Sequence, residues 1–272
     1  MSMNNFTLES RKENLSCYIS NNICFLPHLH YHVEIMHVIS GRIEVTFNQQ
    51  TRILTAGDTA IAFPNQIHTG TTLGNSRVLF FIFSAEILPD LKQGLTTHIL
   101  TNPFIPQEEL TPLSIHTLEA CIQMQEKHPR DCSTPFLQNT YKGILMILVT
   151  DLLSLSGLIK RPCNPQINMY QSVLDYIEDN LTQKLTLEKV AKDLGINKYY
   201  ISRLFSNEFK IRFNDYISKK RLLLAEALIR ESDKKMIEIM YETGFTSERT
   251  FYRSFKEYFG ITPQQLKNKI DQ

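Results

Sequence analysis

Between residues 187 and 194, apolar side chains recur at Leu187, Val190, Ala191 and Leu194, the period of a helix with one buried face. Thr186 stands where an N-cap is expected, and Gly195 where the helix ends, because glycine takes positive φ at little steric cost. Asn197 is placed to cap a second helix, whose Ile201, Leu204 and Phe205 face inward. The arrangement returns at an offset of 50 residues. Ile201-Ser202-Arg203-Leu204-Phe205, with Phe209 beyond it, corresponds to Phe251-Tyr252-Arg253-Ser254-Phe255, with Phe259 beyond it. Ile237, Met240 and Tyr241 lead to Gly244-Phe245, and Thr246 or Ser247 opens the helix that follows. Self-similarity at a fixed period means one supersecondary unit used twice. Helix, glycine turn, helix is the unit that lays a second helix in the DNA major groove. Between the copies, Asn214–Arg230 carries Tyr216, Ile217, Leu223, Leu224, Ala227 and Leu228 and predicts a long amphipathic connecting helix.

The first half has a different rhythm. From about Leu15 to Phe83 the chain predicts short strands, among them Val33–Ile39, Arg42–Phe47, Thr51–Leu54, Thr59–Phe63 and Val78–Phe83. Turn residues separate them at Ser40-Gly41, Asn48-Gln49, Ala56-Gly57-Asp58, Pro64-Asn65 and Gly74-Asn75, which suggests a sandwich or barrel. Helical patterns follow over Pro112–Lys127 and Pro135–Leu155. Within the second, Phe136, Ile144, Leu145, Ile147, Leu148, Leu152 and Leu155 form an apolar face that must bury against the barrel, another helix or a second protomer. The stretch Ser156–Pro165, with Gly157, Pro162 and Pro165, reads as a linker.

Charge adds to this picture only through its placement. The net charge is +1, but residues 166–272 hold 18 Lys and Arg against 15 Asp and Glu, whereas the remainder is net negative. A basic cluster on the C-terminal part, Lys198, Arg203, Lys210, Arg212, Lys219, Lys220 and Arg221, suits a polyanion. The five cysteines, Cys17, Cys24, Cys121, Cys132 and Cys163, include no CxxC pair and fit reduced thiols. The polar N-terminus suggests no signal peptide. The apolar run Ile144–Leu155 is broken by Asp151 and is shorter than the ~20 residues of a membrane span. A cytoplasmic protein without a membrane partner is the expectation.

The repeated unit resembles the AraC/XylS family of bacterial transcription regulators over roughly residues 168–268. Gly244-Phe245, Phe251, Arg253, Phe255-Lys256 and Phe259-Gly260-Ile261-Thr262-Pro263 carry the resemblance. Two positions depart from it. Lys210 stands where the family usually has glycine after the first reading helix, and a left-handed lysine costs on the order of 1 kcal/mol. Gln264-Gln265-Leu266-Lys267 follows the Thr-Pro signature where the family usually has an arginine. Inward placement of the apolar residues leaves Lys198, Tyr199, Ser202 and Arg203 on the first reading helix, and Ser247, Glu248, Arg249 and Arg253 on the second, toward DNA. The resemblance implies base reading at Tyr199, Ser202, Arg203, Glu248, Arg249 and Arg253. Arginine suits guanine O6/N7, and glutamate can accept from cytosine N4.

All eight histidines precede residue 130, and five fall between His28 and His68. His28, His30, His32 and Glu34 share parity, which on one strand would aim all four at one face; Tyr31 and His37 have the other parity. The run His28-Leu29-His30, Glu34, Gly41 resembles the first motif of the cupin family of small β-barrels. Gly57 and His68 fit the second motif, while Phe63 and Asn65 stand where proline and glycine are usual. In metal-binding cupins the equivalents of His28, His30, Glu34 and His68 hold a divalent ion. Three imidazoles and one carboxylate suit zinc, iron, nickel or manganese. Packing and effector contacts are the competing uses of such histidines.

Together these features predict a two-domain α+β chain. A cupin-like sensing and dimerisation barrel with appended helices occupies residues 1–156, a linker 157–167, and an all-α domain with two helix-turn-helix motifs 168–272. The function expected is sequence-specific transcriptional regulation, not catalysis, with His28, His30, Glu34 and His68 receiving a sugar or other small polar metabolite, and a divalent metal as candidate cofactor. Double-stranded DNA, a small-molecule effector and a second copy of the chain are the expected partners, with RNA polymerase a candidate fourth. Activator and repressor both remain open. The alternative is a metal-dependent cupin enzyme fused to a DNA-binding domain.

Overall fold

A computed structural model of the chain describes residues 14–47, 50–128, 134–155, 157–161 and 166–270. The expected Asn48-Gln49 turn, Cys132, Cys163, Pro162 and Pro165 lie outside the described residues. The chain forms two compact units, one holding the described residues up to 161 and the other those from 166 on.

The first unit is built on β1 (Leu15–Asn21), β2 (Cys24–His28), β3 (Val33–Phe47), β4 (Gln50–Thr55), β5 (Thr59–Ala62) and β6 (His68–Phe83). After α1 (Lys92–Thr97) come β7 (His98–Leu100), β8 (Phe104–Ile105), α2 (Pro112–Lys127), α3 (Pro135–Leu155) and β9 (Leu158–Lys160). The seven-stranded antiparallel sheet runs β1-β6-β3-β5-β8, with β2 added to β6 and β4 to β3. Two expected turns are absent. The chain passes Ser40-Gly41 and Gly74-Asn75 without leaving the sheet, so β3 and β6 are single strands of 15 and 16 residues. The pairing register shifts on either side of Gly41 instead, as a bulge allows. Gly41 has φ +80°, and a Cβ there would lie 2.0 Å from the Asn75 carbonyl oxygen, so only glycine lets the strands meet.

Alternate residues bury opposite faces of this sheet. Val33, Ile35, Ile61, Phe63, Leu79, Phe81 and Phe83 share one core with Leu118 and Cys121 of α2 and Tyr141, Leu145, Leu148 and Leu152 of α3. Ile144, Leu145, Leu148 and Leu152 are buried there, with Leu155 packed against them, so this part of the apolar face of α3 is covered within its own unit. Phe136 remains 77% exposed. Asp151, which interrupts that face, accepts from the hydroxyl of Thr111, the residue capping α2. The Cys17 and Cys121 sulfurs lie 3.5 Å apart, beyond the ~2.05 Å of a bond. On the other face, Glu34 is paired with Ala62 and Ile82. Phe25 of β2 stands edge-on to Phe80 of β6, and Phe47 of β3 meets Phe104 of β8, so the sheet curls around this side. Of the stretch read as linker, residues 158–160 are strand β9, paired with β7.

The second unit is helical: α4 (Ile167–Asp179), α5 (Leu187–Leu194), α6 (Lys198–Arg203), α7 (Phe213–Glu231), α8 (Met236–Glu242), α9 (Glu248–Phe259) and α10 (Pro263–Ile270). Thr186, Asn197 and Ser247 cap α5, α6 and α9 by accepting from backbone N–H groups, and Gly195 closes α5 in the left-handed region. A π-helical turn over Leu204–Glu208 extends α6. Lys210 follows it at φ +52°, the expected left-handed lysine. The connecting helix α7 is buried on several sides rather than along one stripe, down to Glu226, which is paired with Arg230. Its Tyr216 packs against Phe205 and Phe209, while Leu222, Ala225 and Ile229 join the core of Phe245, Phe251 and Phe255.

Candidate functional site

The histidine cluster is assembled from two strand ends and a turn. His28 ends β2, His30 lies in the loop before β3, Glu34 is on β3 and His68 opens β6 opposite His28. One ligand atom from each of His28, His30, Glu34 and His68 lies within 4.8 Å of the others. His32 is not in this group. The expectation that His28–Glu34 would form one strand with a common face is corrected: residues 29–32 leave the sheet, and the turn brings in His30 but not His32. The His32 carbonyl instead accepts from His30 Nδ1 at 3.1 Å. Tyr31 points outward, 55% exposed, and His37 is buried against Thr59.

The tautomers follow from the partners. Nδ1 of His28 lies 2.9 Å from the Leu26 carbonyl, Nδ1 of His30 faces that of His32, and Nδ1 of His68 lies 2.8 Å from that of Gln66. A carbonyl oxygen only accepts, so each Nδ1 carries the hydrogen and each neutral ring keeps its lone pair on Nε2. Nε2 of His30 and of His68 approach the same oxygen of Glu34, at 3.1 and 3.4 Å. Lone pairs facing a carboxylate require a proton or a cation between them. Burial, then the neighbouring imidazoles, holds His28 well below the ordinary histidine range. Burial also lowers His30, against the pull of Glu34. Burial works to raise Glu34, but the facing His68 and His30 outweigh it when they carry the bridging proton, and the carboxyl then stays below its usual range. Neutral imidazoles with one anionic carboxylate are the donor set a divalent cation takes, and Nδ1 donation to carbonyls is the usual outer support of such ligands. The residues fit the ion.

In the second unit, Ile201, Leu204 and Phe205 are buried, and Lys198, Tyr199, Ser202 and Arg203 are exposed on α6. Phe251 and Phe255 are buried, and Ser247, Glu248, Arg249 and Arg253 are exposed at and along α9. Arg203 lies over the Tyr199 ring at 5.8 Å. Tyr200 and Tyr252, 40% and 37% exposed, lie on the same helices, each next to a residue expected to face DNA. The basic cluster does not survive whole. Lys198 pairs with Glu188, Lys220 with Glu178, and Arg221 donates to backbone carbonyls. Among the described residues, no helix is long and apolar enough to cross a membrane.

A buried histidine–carboxylate cluster in a curled sheet, and two exposed helices each following a glycine turn, define a cupin-bearing helix-turn-helix DNA-binding protein. Residues 24–83 match the cupin domain family and residues 190–269 match a helix-turn-helix domain family. The regulatory protein SoxS of Escherichia coli (strain K12) is 31% identical over 100 residues, covering 37% of this chain and 94% of SoxS. The multiple antibiotic resistance protein MarA of Salmonella typhimurium is 33% identical over 96 residues, 35% of this chain and 76% of MarA. The crystal structure of an apo ToxT point variant from Vibrio cholerae is similar in fold over 94% of this chain and 97% of that one, with a TM-score of 0.59 at 12% identity. A ToxT structure with bound unsaturated fatty acid covers 94% of this chain and 96% of its own, with a TM-score of 0.50 at 14% identity. The chain belongs to the AraC family of DNA-binding transcriptional regulators and carries an N-terminal cupin domain.

Proposed function

We propose that the protein is an effector-responsive regulator acting in the cytoplasm as a homodimer. Its α6 and α9 read DNA bases, and its His28–His30–Glu34–His68 cluster receives a small polar metabolite through a divalent cation. The observation that carries the sensing role is the shared tautomer. Three Nδ1 donors are spent on carbonyls, which leaves three lone pairs and one carboxylate converging. A bound ion would supply a Lewis-acidic anchor for an oxygen of the effector. The protein's own residues hold the imidazoles in the ligating tautomer and keep the carboxylate ionised. A sugar or hydroxy acid offers the chelating oxygens that such an anchor takes, which sets this reading apart from the fatty acid of ToxT. The likeness to ToxT supports the fold alone.

Tyr199, Ser202 and Arg203 on α6, with Glu248, Arg249 and Arg253 on α9, are the proposed base readers, and Lys198 and Ser247 flank them toward the backbone. A domain boundary within 157–167 fits the two compact units. RNA polymerase is a proposed further partner. The test is elemental analysis of the purified chain combined with thermal-shift screening of sugars and hydroxy acids in the presence of the metal. A ligand of the folded state adds about 2.7 kcal/mol at a hundredfold excess over its Kd. Shifts that persist when His30 and His68 are both alanine would place the effector elsewhere. Turnover of a screened compound by the metal-loaded protein would favour the metal-dependent enzyme instead.

A further inference from the structure

Three successive residues of α7 do something that the DNA-reading assignment leaves unused. Lys219 lies over the ring of Tyr258 on α9, 5.7 Å from its centroid. Lys220 pairs with Glu178 of α4 at 3.0 Å, both side chains largely covered. Arg221 donates from Nε to the Leu181 carbonyl at 2.9 Å and from Nη2 to the Gln183 carbonyl at 2.6 Å. Both carbonyls belong to the loop between α4 and α5, which leads into the first helix-turn-helix.

The second helix-turn-helix meets the same guanidinium. Gly244, the turn residue between α8 and α9, is at φ +84°, and a Cβ built on it would lie 2.7 Å from the Thr182 carbonyl oxygen and 3.0 Å from Arg221. The turn of one motif is thus pressed against the entry loop of the other, with Arg221 lining the contact. Burial lowers the Arg221 pKa, as expected for a guanidinium drawn out of water. Such a planar fork, spanning two carbonyls at fixed angles, holds geometry that a lysine ammonium does not.

We propose that Arg221, seated between the Leu181–Gln183 loop and the Gly244 turn, is a positioning residue that fixes the separation and angle of α6 and α9, and so the spacing of the two DNA elements one protomer accepts. Arg221 does not itself touch DNA; it acts through the two reading helices. This rests on the proposal that both helices read bases.

The test uses the full chain. Duplexes are selected with it from a randomised pool, and the distance between the two recovered elements is then varied one base pair at a time in gel shifts. Wild type is expected to prefer one spacing, near one helical turn, over its neighbours by on the order of tenfold. Arg221→Gln is expected to keep its affinity for single-element duplexes and lose most of that preference, with Arg221→Lys intermediate. An unchanged spacing profile in Arg221→Gln overturns the proposal. So does a uniform loss at every spacing with a shallower salt dependence, the signature of a phosphate contact. If neither variant melts cooperatively, Arg221 is a folding residue and the proposal also falls. A wild-type chain with no spacing preference removes the two-helix reading itself, before any variant is compared.

Discussion

Nε2 of His68 lies 3.4 Å from Oε2 of Glu34, across 34 residues of sequence, while its Nδ1 is held by the Gln66 carbonyl. Gln66 belongs to the turn after β5, whose Asn65 N–H donates to the His30 carbonyl at 2.7 Å. One turn thereby orients the His68 imidazole and pins the backbone of His30. Shortening or stiffening that turn should disturb the cluster without touching any member of it.

The reading helices give the most direct mutational test of DNA recognition. Arg203 and Arg253 are exposed at matching positions of α6 and α9. Arg203→Ala or Arg253→Ala is expected to cost about 1–3 kcal/mol of specific binding and to relax preference at one base position. Gel shifts over single-base variants of a selected site read both effects. Wild-type affinity and specificity in both mutants would remove the assignment.

Lys210 is exposed at φ +52°, where a side chain is strained. Lys210→Gly should stabilise the chain by about 1 kcal/mol, a rise of a few degrees in the melting temperature of the helical unit. Calorimetry checks this. An unchanged or lower melting temperature would show that Lys210 makes a compensating contact.

His37 lies on the helix-facing side of β3, its Nδ1 2.9 Å from Thr59 Oγ1. Burial lowers its pKa from 6.5 to about 4, with Asp58 opposing. Above pH 6.5 the ring is neutral in both folded and unfolded chains, so it adds no pH dependence there. Below 6.5 the unfolded chain takes up the proton first, and stability falls until about pH 4, by about 3 kcal/mol at most. Denaturation curves should therefore show wild type losing more stability across this window than His37→Gln. Parallel losses would contradict the burial of a neutral ring.

Leu148 sits in the core shared by α3 and the sheet, 1% exposed. Leu148→Ala should lower stability by about 2–5 kcal/mol. It should leave the sedimentation of any surviving folded protein unchanged, because this face is covered from within. A shift from dimer to monomer at full stability would return the face to a protomer contact.

The helical half is legible because its signals are local. A cap, a period of 3.6 and a glycine at φ +65° define α5 wherever it packs, and Thr186, Val190 and Gly195 sit as the sequence predicts. The starts of α2 and α3 are legible for the same reason, since Pro112 and Pro135 each open a helix. The sheet is less so. Gly41 and Gly74 signal turns by composition, yet here both lie inside two long strands that pair antiparallel and bulge, a choice made by pairing partners far along the chain. In sequence Arg221 is one more cation of a basic cluster, because its acceptors are the carbonyls of Leu181 and Gln183, 40 and 38 residues away and indistinct in sequence. In the histidine cluster, parity points to four neighbours, but the loop over residues 29–32 breaks parity and leaves His32 out.

The measurement that bears most directly on metal-assisted sensing is elemental analysis of the purified chain and of its Glu34→Gln variant, after equilibration with zinc, manganese, iron or nickel. Glu34→Gln keeps the shape of the side chain and removes the one carboxylate that the three imidazoles face. About one divalent ion per wild-type chain is expected, set by one four-donor site, with a large loss in the variant. Wild-type protein that retains no ion, or the same ion content in both proteins, would contradict it.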